Sequence, residues 1–375
     1  MKNMDAMYIC TTPFQIMSAI SLAVNRKEAA DLYIDAQFEG AEDLAEKIRQ
    51  RKIFDTVRVL KNISCIDQVR GASGKMQRYN KIISLYRHIE DAAAQLLLPD
   101  RRYRILYATH NVFVANLLML YISKKDIRTK VYFFDDGEGS YDNRDIFKIS
   151  LPDKLTKRLV LGRKAMRGPR RLYMYSPDLF NNMHPTNRTP VYHLPQFREN
   201  ETVLEHIKAV FEVSPEKGIR EPVIILDSLK EVVLSPEDDA RIVKLYDRLQ
   251  AEFGEDRVIV KRHPRDTRTY ENPIREYPFT RLPFEITCLA SDPSKMTLIT
   301  LLSTATIMPK LLMDEEPRIV LLYHMFKRLE GNDADRDRFF ELVKKTYNDP
   351  GRIVIPDTDE ELDELIRTIR EELNS

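Results

Sequence analysis

Short apolar runs alternate along this chain with longer stretches whose apolar residues recur every three or four positions. In the first part, the short runs at 6–10, 31–34, 56–60, 103–108 and 129–134 predict strands. The run Ala6-Met7-Tyr8-Ile9-Cys10 has no polar face, which predicts a strand buried on both sides. Residues 14–24, 42–50, 75–98 and 112–122 carry helical spacing, the third through Ile82, Ile83, Leu85, Tyr86 and Ile89. Strand and helix in turn over the first ~140 residues predict a largely parallel, doubly wound sheet. From 175 to 222 prolines and asparagines accumulate (Pro177, Asn181, Asn182, Pro185, Asn187, Pro190, Pro195), marking a crossing between domains. The alternation then resumes, with strands at 222–226, 258–260, 296–300 and 318–323. Helices follow at 236–252, 307–313 and 357–373, and 283–286 leads into another. The predicted fold class is α/β, two Rossmann-like domains facing a central cleft, 1–190 and 191–375.

A length of 375 residues is long for one core and agrees with two domains. Hydrophobic content of 43% supports a packed globular chain. The 59 Lys+Arg nearly cancel the 58 Asp+Glu, so no global field argues for nucleic acid, and any anion site must be local. A basic stretch at 149–171 (Lys154, Lys157, Arg158, Arg163, Lys164, Arg167, Arg170, Arg171) reads as a helix. A solvated face is its more frequent meaning, an anionic surface or acceptor the alternative. Cys10, Cys65 and Cys288 are far apart and lack metal-type spacing, which suits buried thiols in a reducing cytoplasm. The first ten residues hold one lysine and no long apolar region, so no signal peptide is expected. No apolar stretch approaches the ~20 residues of a membrane span.

The chemistry gathers where predicted strands stop. The run Val258 to Val260 ends at Lys261, Arg262 and His263, and Pro264 forbids the strand from continuing before Arg265. In an open α/β sheet that edge binds ligands, and a histidine among cations suits an anionic leaving group such as phosphate. A solvated basic turn is the plainer meaning. Thr12 before Pro13 is a helix-entry signal directly after the first strand, so the helix start that leads to Gln15 can hold an anion or be an ordinary β/α turn. Asp135-Asp136-Gly137 ends another strand, and neighbouring strand residues point to opposite faces, so one carboxylate faces the cleft. It suits a general base for a sugar hydroxyl; a metal site or an Asp-Gly turn are the alternatives. Ser303-Thr304-Ala305-Thr306 fits a phosphate cradle or plain N-capping. Glu285, after Pro283, suits hydrogen bonds from ribose hydroxyls. No P-loop lysine motif, Gly-x-Gly-x-x-Gly or His/Cys metal cluster occurs, and Asp333-Ala334-Asp335 reads as a loop.

Four motifs follow in order: Tyr8-Ile9-Cys10-Thr11-Thr12-Pro13-Phe14-Gln15, Phe134-Asp135-Asp136-Gly137-Glu138-Gly139, His263-Pro264-Arg265 and Pro283-x-Glu285. In that order, from residue 8 to about 310, the chain resembles the bacterial sialyltransferases of glycosyltransferase family 52, which include the lipooligosaccharide sialyltransferases. The acidic-acidic-glycine and His-Pro motifs are shared with the bacterial polysialyltransferase and multifunctional sialyltransferase families. The resemblance implies a GT-B-type architecture, with 1–190 on the acceptor side and 191–375 binding the CMP-sugar. It implies inverting transfer of sialic acid from CMP-sialic acid to a terminal sugar hydroxyl, with galactose foremost, of a bacterial surface glycan. Neither metal nor cofactor is implied.

By the same resemblance His263 contacts the CMP phosphate and assists its departure, and Asp136 is the base, positioned by Asp135. Ser303 and Thr304 hold the CMP phosphate and Glu285 sits near the nucleotide. Thr12, Gln15, Gly137, Arg262, Pro264 and Arg265 complete the donor-binding set. In the lipooligosaccharide enzymes the proposed base is an aspartate just after the first strand of the nucleotide-binding half. Asp227-Ser228 stands there without the local Ser-Pro-Asp sequence, so Asp227 rivals Asp136. Those enzymes also include forms with an N-terminal membrane anchor, which this sequence is read as lacking. The expectation is a cytoplasmic enzyme, with peripheral association at the inner face of the membrane and homodimerisation as further expectations, and no nucleic-acid partner. Two other readings stay open: the same fold using another nucleotide sugar (a CMP-linked sialic acid relative or a UDP-sugar), and a non-catalytic glycan- or nucleotide-binding protein.

Overall fold

A computed structural model describes residues 2–61, 71, 73–109, 112–137, 139–142, 168–226, 236–263, 274–326 and 333–375. The chain divides into two compact units, Met1–Phe211 and Glu212–Ser375.

The first unit is built on seven parallel strands: β1 (Lys2–Cys10), β2 (Ala30–Asp35), β3 (Thr56–Leu60), β4 (Arg101–Ala108), β5 (Lys130–Phe134), β6 (Arg171–Met174) and β7 (Val191–His193). Their order is β3-β2-β1-β4-β5-β6-β7, with Tyr8 of β1 registered against Leu32 on one side and Tyr107 on the other. The winding reverses between β1 and β4, so the loops after these strands run to opposite sides and open a crevice at the carboxyl edge. The apolar run 6–10 is buried on both faces, as its lack of a polar face predicts. Tyr8 stacks on Tyr107 with ring centroids 4.5 Å apart, and Tyr107 meets Tyr132 edge-on at 5.5 Å, tying three central strands together.

Helix Pro13–Arg26 begins where the sequence places it. Thr12 is extended, its hydroxyl accepts the Gln15 N–H at 3.2 Å, and Pro13 takes the first turn. The helix ends at Lys27, which adopts φ 51. The single helix predicted over 75–98 is two, Lys75–Arg87 and Ile89–Leu96, parted at His88. Leu85, Ile89, Ala92, Ala93 and Leu96 are all buried, so the apolar spacing runs straight through the break and gives no sign of it. β6 begins at Arg171, inside the stretch read as a basic helix; residues 143–167 lie outside the described ones. β7 and helix Glu201–Val210 occupy the stretch read as a crossing. They stay with the first unit because Ser21 donates to the Pro195 carbonyl at 2.9 Å and Asn200 to Asn25 at 2.9 Å, anchoring this segment to helix Pro13–Arg26.

The second unit has five parallel strands: β8 (Val223–Leu226), β9 (Val258–Lys261), β10 (Thr297–Thr300), β11 (Arg318–Leu321) and β12 (Ile353–Val354), in the order β12-β11-β10-β8-β9. Here the winding reverses between β8 and β10. Val223, Ile225, Val258, Val260 and Ile299 pack with Tyr246 and Leu249 of helix Pro236–Phe253 and Leu362 and Ile366 of helix Asp359–Asn374. Each fully buried aliphatic side chain stabilises the unit by about 1.5–3 kcal/mol before conformational entropy is counted. The Asp333-Ala334-Asp335 sequence is no loop but the first turn of helix Asp333–Lys344, where Asp335 complements the helix dipole. Among the described residues no helix is long and apolar enough to cross a membrane.

After β11, His324 is clasped by two carboxylates: Nδ1 lies 2.6 Å from Asp357 Oδ1 and Nε2 2.8 Å from Asp337 Oδ1. Tyr323 donates to the same Asp337 oxygen at 2.6 Å. Burial pulls the imidazole down, but the hydrogen bonds and charges of Asp337 and Asp357 outweigh it and raise its pKa. The clasp therefore contributes fully below the ordinary histidine value of ~6.5 and is lost as pH rises through the raised folded value. The His324→Gln substitution is expected to lower Tm more at pH 6 than at pH 8.5. Equal losses at the two pH values would remove the clasp as an ionic brace.

Candidate active site

In the first unit three loops converge at the carboxyl edge, after β1, β4 and β5. The Thr11 N–H and hydroxyl both donate to Gln15 Oε1, at 2.7 and 3.1 Å. The other end of that amide, Nε2, donates to Asp136 Oδ1 at 2.7 Å and to Thr109 Oγ1 at 3.0 Å. Thr109 directly follows β4, so these bonds close a polar triangle at the reversal of the sheet.

Asp135 and Asp136 face different surroundings, as alternation at a strand end requires. Asp135 is fully buried: Oδ1 accepts the Gly137 N–H at 2.8 Å, and Oδ2 accepts the Tyr175 N–H at 3.1 Å and the Tyr141 hydroxyl. Gly137 turns with φ 86, a conformation open to glycine, which brings its N–H back onto Asp135. Asp136 is half-buried, and its N–H donates to Ser140 Oγ at 2.8 Å. Burial pushes the Asp136 carboxyl up to about 6, against the hydrogen bonds from Gln15 and Thr109. Burial raises Asp135 further, to about 7, against the bonds from Tyr141, Tyr175 and Gly137, with the Asp136 charge adding to the rise. A half-buried carboxylate with a pKa just below neutrality is ionised at pH 7 yet basic enough to take a proton. Thr12 caps the helix beside this group through its hydroxyl.

In the second unit β9 delivers Lys261, Arg262 and His263. Segment 275–277 runs beside the strand, with Val260 donating to the Arg275 carbonyl and Tyr277 to the Val260 carbonyl, each at 2.9 Å. Lys261 is buried, its Nζ 5.1 Å from the centre of the Tyr277 ring. Burial lowers its pKa to about 8, against the pull of the Glu285 charge first and of Cys288 second. Glu285 stands in the first turn of helix Phe284–Leu289, and burial raises its pKa against the Lys261 charge and its own N–H. Lys261 and Glu285 thus share one environment, although 24 positions apart in sequence (285 − 261). Arg262 Nε lies 3.0 Å from Glu276 Oε2. His263 is half-buried just past the strand.

Ser303 precedes the 3-10 turn Thr304–Ile307 and makes no side-chain cap; Thr306 N–H and Oγ1 instead donate to its carbonyl at 3.3 and 2.9 Å. Thr304 is described in its backbone, and Asp227, Pro264 and Arg265 lie outside the described residues. Among the described residues no group of three or more His, Cys, Asp or Glu is placed to hold a metal ion. Sequence reasoning missed Thr109, Tyr141 and Tyr175. A hydroxyl directly after a strand was a usable signal for Thr109; Tyr175 acts through its backbone, which leaves no trace in residue type.

Two parallel α/β units, each reversing its strand order at one point, define a fold seen in known proteins. No protein-family model and no curated protein matches this sequence. Among solved structures, the chain is similar to Arabidopsis thaliana UGT89C1 complexed with quercetin, with TM-score 0.52 and 10% identity over 98% of this chain and 90% of that one. TcCGT1 in complex with UDP aligns over 98% and 91% at TM-score 0.48 and 10% identity. A UDP-forming alpha,alpha-trehalose-phosphate synthase from Burkholderia vietnamiensis aligns over 98% and 100% at TM-score 0.39 and 9% identity. The fold is GT-B-type, as the sequence resemblance implied.

Proposed function

We propose that this chain is an inverting, metal-independent glycosyltransferase that moves sialic acid from CMP-sialic acid to a sugar hydroxyl, a galactoside foremost. The observation that carries the reading is Asp136, a half-buried carboxylate after β5 that is tied through Gln15, at 2.7 Å, to the loops at the strand-order reversal of the first unit, with a pKa of about 6. The sialyl donor is supported by the order of the four motifs in the sequence rather than by the fold. In the reaction the acceptor oxygen bonds to the anomeric carbon as the bond from that carbon to the phosphate oxygen breaks. The acceptor proton passes to Asp136, and His263 gives a proton or hydrogen bond to the departing CMP phosphate. Asp135 holds the base in place. Ser303, Thr304 and Arg262 serve the phosphate and Glu285 the nucleoside.

CMP release from CMP-sialic acid, measured with lactose and EDTA present, tests this. Acceptor-stimulated release that survives EDTA is the expected result. Silence with CMP-sialic acid, but acceptor-stimulated nucleotide release from a UDP-sugar, would keep the fold and overturn the donor. Nucleotide-sugar binding without turnover of any donor would make the chain a binding protein.

A further inference from the structure

We propose that Gln15 is a positioning residue for the base, clamping the Asp136 carboxylate to the loops after β1 and β4; this rests on the reading of Asp136 as the base. A glutamine side chain has one carbonyl and two N–H donors, and here all are engaged. Oε1 takes two donors from Thr11, which fixes which end of the amide is which. Both Nε2 hydrogens are then committed, one to Asp136 Oδ1 and one to Thr109 Oγ1. With 2% of its surface exposed, Gln15 has nothing left to offer a substrate. Its own backbone is pinned by the Thr12 cap, so the amide is carried on a rigid first turn rather than on a mobile loop.

The clamp has an electrostatic consequence. A donor aimed at a carboxylate favours the charged form, and here it opposes the burial that raises Asp136. Among the described residues, the titratable groups that share the surroundings of Asp136 are Asp135 on the same strand end and the Cys10 thiol at the end of β1. Neither supplies a positive charge. Without Gln15, burial acts against one hydrogen bond fewer, and the carboxyl rises.

The test is a carboxyl carbon NMR titration of full-length protein labelled with 13C at aspartate, where Asp136→Asn identifies the Asp136 resonance by its loss. In Gln15→Met, close in shape and without the amide, the Asp136 midpoint is expected to move up by about one pH unit or more, the scale of one hydrogen bond to a charged group. Thr109→Val, which removes the third corner of the triangle, is expected to move it the same way by less. In turnover, the acidic limb of kcat moves with the midpoint while KM for the donor stays within about twofold. A midpoint unmoved in both variants overturns the inference, as does a raised donor KM with kcat unchanged, which would make Gln15 a substrate contact. Full activity in Asp136→Asn would instead overturn the reading of the base, whatever the titration shows.

Discussion

Asp136→Asn is expected to lower transfer by roughly 10²–10⁴-fold while nucleotide binding persists, because it deletes the proton acceptor of the proposed mechanism and keeps the shape of the side chain. Asparagine can still accept the Gln15 hydrogen bond through its carbonyl, so the triangle of Gln15, Thr109 and residue 136 has no reason to collapse. In the wild type a base works only when ionised, and burial sets the Asp136 carboxyl at about 6. The rate should therefore be full near pH 7.5, fall through half near pH 6 and decline about tenfold per pH unit below that. A pH–rate profile of kcat/KM reads this in the free enzyme. The same substitution at Asp227 is the natural comparison. A wild-type rate in Asp136→Asn beside a silent Asp227→Asn would transfer the role of base to the second unit.

The fold was legible where burial is local and hidden where it depends on partners. An apolar run such as Val223–Leu226 has one stable fate, a strand covered on both faces, and its sequence says so. Strand order is another matter: the reversals between β1 and β4 and between β8 and β10 come from pairings that no single run encodes. β7 is three residues long, lies at the sheet edge and exposes Tyr192 and His193, so it carries almost no periodic signal.

The same division runs through the site. Asp135-Asp136-Gly137 could be read as a functional strand end because the carboxylates, the apolar strand before them and the glycine behind are contiguous. Which carboxylate faces the edge is decided from afar. The Tyr175 N–H that draws Asp135 inward is 40 positions away, and the Gln15 amide that holds Asp136 is 121 positions away. Proximity of this kind is a product of the fold, and a motif cannot report it.

His263→Ala is expected to lower kcat by roughly a hundredfold or more, chiefly by removing the help that the proposed mechanism gives the departing CMP phosphate. Three side chains at the end of β9 carry or can carry positive charge, and the fold sorts them. Lys261 is buried over the Tyr277 ring in the environment of Glu285, and burial already weakens its hold on its proton. Arg262 is ion-paired with Glu276. Both hold protein partners, and in the proposed mechanism it is His263, half-buried just beyond the strand, that serves the departing phosphate and takes the larger kinetic effect. Arg262→Ala should therefore cost less in kcat than His263→Ala, and its loss should fall partly on donor KM. The chemistry gives a sharper discriminator than rate alone. A histidine that assists leaving-group departure matters less as the leaving group improves. The deficit of His263→Ala should thus shrink with a sialyl donor whose leaving group is a weaker base than CMP. A deficit that stays constant across leaving groups would make His263 a binding residue, and a rate within a fewfold of wild type would remove it from the reaction.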